Sequence, residues 1–328
     1  MSRILQIVAT CCIVTASAGG QGTPPPVILQ IDVQNQVQYR GDVADPSRLA
    51  TNPNATPGVP PRNFEEYQTI GDIVNVNGQQ ALGTLLSNGR AFNLSTTAQP
   101  GQAIADTVRT TTALTSFEFL RPDGVPIGSV FVAGAGGGAP PPGAPSSVTQ
   151  AANAIIGGTG AFLGVRGQSG TTVAPGLTTA PRSASMAEDP ANRRLNGGSR
   201  TRYVLHLIPM SRPEIMSVLH SDFTPVTANN PAKANEILII KSAGLGPTRP
   251  SLNPGEPFPA DRILEVNSPL EVSVNRRSAE VINAIGWPGL LDNYRVDFRL
   301  PDGLSAPTAA IQLTAAWISG SEVRIPVQ

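Results

Sequence analysis

The run Ile156-Gly157-Gly158-Thr159-Gly160-Ala161-Phe162-Leu163-Gly164-Val165-Arg166-Gly167 constrains this chain more than any other stretch. Nothing in or after it reads as helical, because Gly164, Gly167 and Gly170 recur too densely and Thr171-Thr172-Val173 follows. A short apolar segment, Ala154-Ile155-Ile156, precedes the glycines, and Ala161-Phe162-Leu163 with Val165 follows them. Two apolar runs joined by Gly157, Gly158, Thr159 and Gly160 predict a β-hairpin whose turn is those four residues, since glycine supplies the positive φ angles of tight turns. A dinucleotide loop is the rival reading. Gly158-Thr159-Gly160 begins such a pattern, but Leu163 stands where its third glycine belongs, no helix follows, and no acidic residue lies where a ribose would need one.

The rest of the chain agrees with an all-β protein. Charged residues make up only 14%, whereas Gly (33) and Pro (32) are abundant, a composition suited to short strands and many turns. Formal net charge is zero, which removes the electrostatic case for nucleic acid or an anionic surface. Residues 1–18 have a basic start, an apolar core from Ile4 to Ala16 and a small-residue cleavage site at Ala16-Ser17-Ala18, and so predict a secretory signal peptide. Cys11 and Cys12 lie inside it, so the mature chain is expected to have neither disulfides nor thiolate metal sites.

After a linker at 19–26, strands are expected at Val27–Val33, Thr69–Val76, Gln80–Leu86, Val108–Leu120, Val125–Ala133, Val148–Ile156, Ala161–Val173 and Arg200–Ile208. Eight strands close a small barrel and remove the sheet edges. Asp45 to Arg62, rich in Pro, Asn and Thr, reads as a loop. Asn54-Ala55-Thr56 and Asn93-Leu94-Ser95 match glycosylation sequons, a pattern common by chance. Two segments interrupt the barrel: the Gly/Ala/Pro-rich stretch 133–147, and 179–199, a polar loop with a helical turn expected near Ala184 to Glu188.

The glycine run also resembles the signature hairpin of the dirigent and allene-oxide-cyclase barrels, Gly-Gly-Thr-Gly-x-Phe-x-x-x-x-Gly, met here as Gly157 to Gly160, Phe162 and Gly167. Phe117-Glu118-Phe119-Leu120-Arg121-Pro122-Asp123-Gly124 and Ile127-Gly128-Ser129 are similar to that family's preceding strand, turn and strand. The resemblance spans Val27 to Pro209 and implies an antiparallel barrel of that type, with structural glycines. The family's catalytic acids and arginines have no counterpart here, so it implies no catalytic residue.

Pro209 and Pro213 bracket a junction to a second domain, 210–328. Glu236–Lys241 is a strand, and Leu270–Val274 with Ala279–Ile285 suggests a strand pair across Asn275 to Ser278. Tyr294-Arg295-Val296-Asp297-Phe298-Arg299-Leu300 alternates apolar at even numbers with charged at odd ones, as in a sandwich with one face buried. Asp292 before Tyr294 suits a tyrosine corner. Ala309–Ala316 and Ser321–Val327 are the last two strands. Asn230-Pro231-Ala232-Lys233, Gly244-Leu245-Gly246-Pro247, Tyr294-Arg295-Val296 and Leu300-Pro301-Asp302-Gly303 resemble the Ig-like C-terminal domain of secreted Solibacter-type (Acidobacteria) proteins. That resemblance implies an Ig-like β-sandwich and no chemistry.

Chemistry-bearing motifs are scarce. The only histidines are His206 and His220, and no HExxH helix, cysteine cluster, P-loop or Gly-x-Ser-x-Gly elbow is present. No cofactor and no metal is implied. Glu118 would point into the barrel if Phe117 and Phe119 faced outward, and Arg121, Arg166, Arg202 and His206 lie on or beside strands. Together these five are the candidate lumen residues, an acid and arginines able to hold a small oxygenated ligand. The expectation is a secreted or cell-surface two-domain β protein that binds a small apolar molecule or a surface component without catalysis. Its mature chain would have no transmembrane segment and no nucleic-acid partner; its oligomeric state stays open. The alternatives are an isomerase or cyclase acting in the lumen, and a purely structural surface protein. The lumen discriminates: an open cavity with an inward carboxylate and arginine favours the enzyme, and a side-chain-filled barrel favours the structural role.

Overall fold

The computed structural model describes residues 26–42, 64–92, 110–137, 152–172, 176–178, 180–253, 255–304 and 307–328. The expected signal peptide with its cysteines, both sequons, and most of the loops 45–62 and 133–147 lie outside these residues.

Eight antiparallel strands form a closed barrel: β1 (Val27–Asp42), β2 (Phe64–Val76), β3 (Gln79–Phe92), β4 (Thr110–Leu120), β5 (Pro126–Gly137), β6 (Ala152–Gly160), β7 (Arg166–Thr172) and, after a short β8 (Arg182–Ser185), β9 (Ser199–Ile208). β1 closes the ring, pairing β2 on one side and β9 on the other. Period-2 alternation decides what fills it. Leu29, Ile31, Val33, Phe117, Phe119, Val130, Leu205 and Leu207 point inward and are fully buried.

A β-bulge at Gln34–Gln36, with Asn35 at φ 49°, inverts this alternation in β1. Beyond it Gln36, Gln38 and Arg40 share the inner face with Thr69 and Tyr67 of β2. Val37 and Tyr39 turn outward, where Ala184 of β8 covers them. The segment expected as a loop at 179–199 thus contributes a strand parallel to β1, and its one helical turn is a 3-10 turn at Pro190–Asn192 rather than at Ala184 to Glu188. Arg193 and Arg194 both pair with Asp72 on the barrel wall, pinning that segment in place. Residues Ala133–Gly137, expected to open the Gly/Ala/Pro loop, instead extend β5.

The glycine run departs from expectation in register. Gly157 to Gly160 are the end of β6, laddered against Phe131 to Gly128 of β5, and the turn is Ala161 to Gly164. It is closed by Phe162 N–H donating to Thr159 O (3.0 Å) and Leu163 N–H to Gly160 O (3.2 Å). Gly158 and Gly160 need glycine for the close approach of neighbouring backbone, which is why the sequence pattern mimics a turn.

The second unit is a β-sandwich. One sheet has the order β10 (Glu214–His220), β11 (Ile237–Ala243), β17 (Asn293–Arg299), β16 (Val281–Gly286), β13 (Glu265–Val266), β12 (Thr248–Arg249). The other has β15 (Arg277–Ala279), β14 (Leu270–Val274), β18 (Thr308–Ala315) and β19 (Ile318–Ser319), with β20 (Val323–Pro326) also on β18. Val296, Phe298 and Leu300 are fully buried at the even positions, as the alternation predicts, against Val272, Val274, Ile311 and Leu313 of the facing sheet. The expected strand pair across Asn275 to Ser278 divides: Arg277–Ala279 returns along β14, and the chain then crosses at Glu280 to join the first sheet.

The two units share a core. The tip of the β18–β19 hairpin, Ala316-Trp317-Ile318, inserts into the end of the barrel, where Ala316 and Ile318 are buried among Leu29, Phe119, Phe162 and Leu207. The Trp317 ring lies 5.6 Å from that of Phe119, and its Nε1–H donates to Gln79 Oε1 at 3.1 Å. The three tight barrel turns lie at this seam: Trp317 reaches Gln79 beside the Asn77-Gly78 turn, Asn267 contacts Arg121 and Pro126 around the second turn, and Gly246 packs on Ala161 of the third. The strand ends Asp42, Phe64, Phe92, Thr110, Gly137 and Ala152 lie at the opposite end.

Candidate functional site

The five expected lumen residues do not meet. Phe117 and Phe119 occupy the interior, so Glu118 between them faces outward. His206 sits between the fully buried Leu205 and Leu207 and likewise faces out. Arg202 is on the outer wall, held by Asp32 across the β1–β9 ladder (Nε to Oδ1 2.6 Å). Arg166 is exposed and donates to its neighbour's carbonyl, Val165 O, at 2.9 Å. Arg121 lies in the β4–β5 turn, its Nη1 3.5 Å from Asn267 O of the sandwich.

The lumen does contain an acid and an arginine, but different ones. Arg40 and Glu65 form a buried pair, Nε to Oε1 2.5 Å and Nη2 donating to Oε2 at 2.6 Å. Beside them Gln36 donates to the hydroxyl of Tyr203, whose phenol burial pushes up to about 12, so it stays neutral. A carboxylate paired this closely with a buried guanidinium is poorly placed to act as a base. The other half of the lumen is occupied by the aliphatic and aromatic side chains already named and by Trp317. The signal for Arg40 was absent from the sequence because the bulge at Asn35, not composition, turns it inward.

A better-formed recess lies at the seam, on the flank of the glycine run. A cleft of about 340 Å³ opens between the β6–β7 turn, represented by Gly160, Ala161 and Leu163, and the sandwich residues Gly246, Leu252, Phe258, Leu291 and Tyr294. Its geometry follows from close packing. Gly246 approaches so near that a Cβ there would lie 3.0 Å from Ala161 Cα. The Tyr294 hydroxyl donates to Gly246 O at 2.6 Å, which ties β17 to the Gly-Leu-Gly-Pro segment. Burial first, and Asp292 second, push the Tyr294 phenol up, so it is a permanent donor. Phe258 stands edge-on to Tyr294, ring centroids 5.2 Å apart, and Gly286 leaves room for it. Leu163 (64% exposed) and Leu291 (55% exposed) form the open rim, apolar side chains presented to solvent. Ser251, Asn253, Glu256 and Asp292 supply a few polar groups around an otherwise apolar lining. In the sequence Leu163 belongs to an apolar run expected to be strand and stands in place of a third glycine, and neither marks it as a cleft residue; Phe258 and Leu291 sit in irregular segments with no periodicity to mark them.

Neither histidine belongs to this cleft. His220 is buried, with Nδ1 2.6 Å from Glu236 Oε1 and Nε2 3.2 Å from Asn230 O. Only the imidazolium can donate at both nitrogens, and the bond to Glu236 foremost raises the His220 pKa above its ordinary value. A raised folded-state pKa contributes stability that is complete below about pH 6.5 and is lost as pH climbs through the folded value. The urea midpoint should therefore fall between about pH 6 and about pH 8 in the parent, and this component should vanish in His220→Gln. An unchanged pH slope in the variant would contradict this role for His220.

Compared with protein-family models, curated proteins and solved structures, the chain matches none.

Proposed function

We propose that this is an exported, non-catalytic binding protein that takes a small apolar molecule into the cleft between barrel and sandwich. The observation that carries the reading is the cleft itself: a recess at a domain seam, mainly apolar, with a few convergent polar groups and two solvent-facing leucines. The basic and apolar leader at residues 1–18 supports export. The dirigent-like and Ig-like resemblances would make the barrel and sandwich scaffolds, with the chemistry left to the ligand surface. The isomerase reading is less well supported, since the inward acid and arginine are spent on each other.

The test is fluorescence of an environment-sensitive apolar probe, N-phenyl-1-naphthylamine. The parent should bind it saturably. Leu163→Asp with Leu291→Asp removes roughly 1 kcal/mol of contact each, because each side chain starts about half exposed, and should weaken binding about 30-fold. Both residues are surface residues, so the melting temperature should hold. Equal probe affinity in parent and double variant, or no saturable binding by the parent, would dismiss the cleft.

A further inference from the structure

The outer face of the six-stranded sheet carries a second feature, built from residues that do not line the cleft. Phe223, in the turn after β10, is 51% exposed yet holds φ 67°, a conformation that bulky side chains avoid and that glycine or asparagine adopts cheaply. Two hydrogen bonds over-determine the turn: His220 N–H donates to Thr224 O (2.8 Å) and Phe223 N–H to His220 O (2.9 Å). A strained residue kept for a half-exposed ring needs a purpose beyond core packing.

Its surroundings suggest one. The Phe223 ring lies 6.2 Å from Trp287, nearly perpendicular. The Arg295 guanidinium stacks 5.3 Å from Phe223, and Lys241 Nζ lies 5.6 Å from the Trp287 ring. Arg295 and Lys241 are cross-strand neighbours, and Arg295 Nε is 2.8 Å from Asp297 Oδ1. Asn283 pairs with Asp297 across β16 and β17. Asp222, the remaining carboxylate of the turn, is occupied by the amide and hydroxyl of Thr224. Two cations face two carboxylates, so the patch has no net field to attract a charged partner, while donors and acceptors alternate around two aromatic rings.

We propose that this patch binds a neutral saccharide, with a pyranose C–H face against Trp287 and Phe223, and hydroxyls taking hydrogen bonds from Lys241 and Arg295 and giving them to Asn283, Asp297 being buried beneath Arg295. Rings supply the apolar contact that a sugar's C–H face needs, and balanced rim groups suit a ligand whose hydroxyls both donate and accept.

Affinity electrophoresis of the full chain in gels containing xylan, laminarin, pullulan or hydroxyethyl cellulose tests this, with polygalacturonate as the charged control. Retardation by at least one neutral polymer, insensitive to salt, is expected. Trp287→Ala should abolish it. Phe223→Asn should weaken it at least tenfold while the melting temperature holds or rises, because asparagine suits φ 67°. No retardation by any neutral polymer, retardation confined to polygalacturonate and lost at high salt, or retardation unchanged in both variants would overturn the assignment. The cleft probe should bind both variants as it binds the parent, which separates this site from the first.

Discussion

Valine in place of Gly158 or Gly160 should leave almost no folded barrel. A Cβ on Gly158 would lie 2.3 Å from Phe162 O and 2.8 Å from Ser129 O, both backbone atoms of the ladder and turn. A Cβ on Gly160 would lie 2.5 Å from Ile127 O, and its φ of 59° adds left-handed strain that β-branched residues tolerate worst. Relief would require moving the turn that carries Phe162 inward against Phe119, ring centroids 5.0 Å apart. Overlap, strain and the displaced aromatic together should cost more than about 4 kcal/mol, most of the stability of an ordinary domain. Gly157 is the internal control: a Cβ there meets only Arg166 Nη1, at 3.4 Å, so Gly157→Ala should stay near parental stability. Soluble yield and thermal melting decide the matter. A Gly158→Val protein melting within a few degrees of the parent would mean that the ladder is not packed as described. A nucleotide loop at these residues would instead give a stable variant that had merely lost a ligand.

Separating the two units should produce unequal halves. Residues 210–328 keep their own core, built from both sheets around Phe298, Val296, Val272 and Leu313. That half should melt cooperatively alone. Residues 26–209 lose Ala316, Trp317 and Ile318 and expose Phe119, Phe162 and Leu207 beneath them. Burial of one isoleucine and much of a tryptophan, with the matching barrel surface, amounts to about 5 kcal/mol, comparable to the total stability of a domain. The isolated barrel should bind 8-anilinonaphthalene-1-sulfonate, lose near-ultraviolet dichroism and aggregate. Trp317→Ala in the full chain should show a milder version, with a lower melting temperature and no loss of sandwich structure. A cooperative, monomeric barrel at residues 26–209 would show that the hairpin is an ornament on a complete core.

How much of this was legible in the chain depends on whether local pattern or long-range register decides. Eight barrel strands are expected and eight are found, and the even-numbered face of Tyr294 to Leu300 is buried as alternation requires, but β7 (Arg166–Thr172) carries no apolar residue, and its expected range, Ala161–Val173, begins in the turn. Alternation alone leaves two choices for each strand, and Glu118 was a lumen candidate only under the choice that puts Phe117 and Phe119 outside, against the greater gain of burying them. Arg40 was invisible for a different reason. Its inward direction depends on one extra residue in β1, and a bulge has no compositional mark beyond an asparagine that tolerates positive φ. Ala316 and Trp317 read as the tail of a strand and its exit; they are a tight turn with φ 46° and 62°, and nothing local announces that the turn docks in another unit. The cleft is legible only in three dimensions, because its walls come from residues near 161, 252 and 291.

The shared core has a consequence for timing. Ala316 to Ile318 are synthesised roughly a hundred residues after β9, which at about 5–20 residues per second is a delay of about 5–20 s. During that interval every barrel strand has been made, yet the barrel's seam end still lacks its last side chains. A nascent chain of this kind should stay loose until its distal hairpin arrives. The hairpin that completes the barrel therefore also acts as a delay on its folding, tying the N-terminal unit's commitment to the appearance of the sandwich.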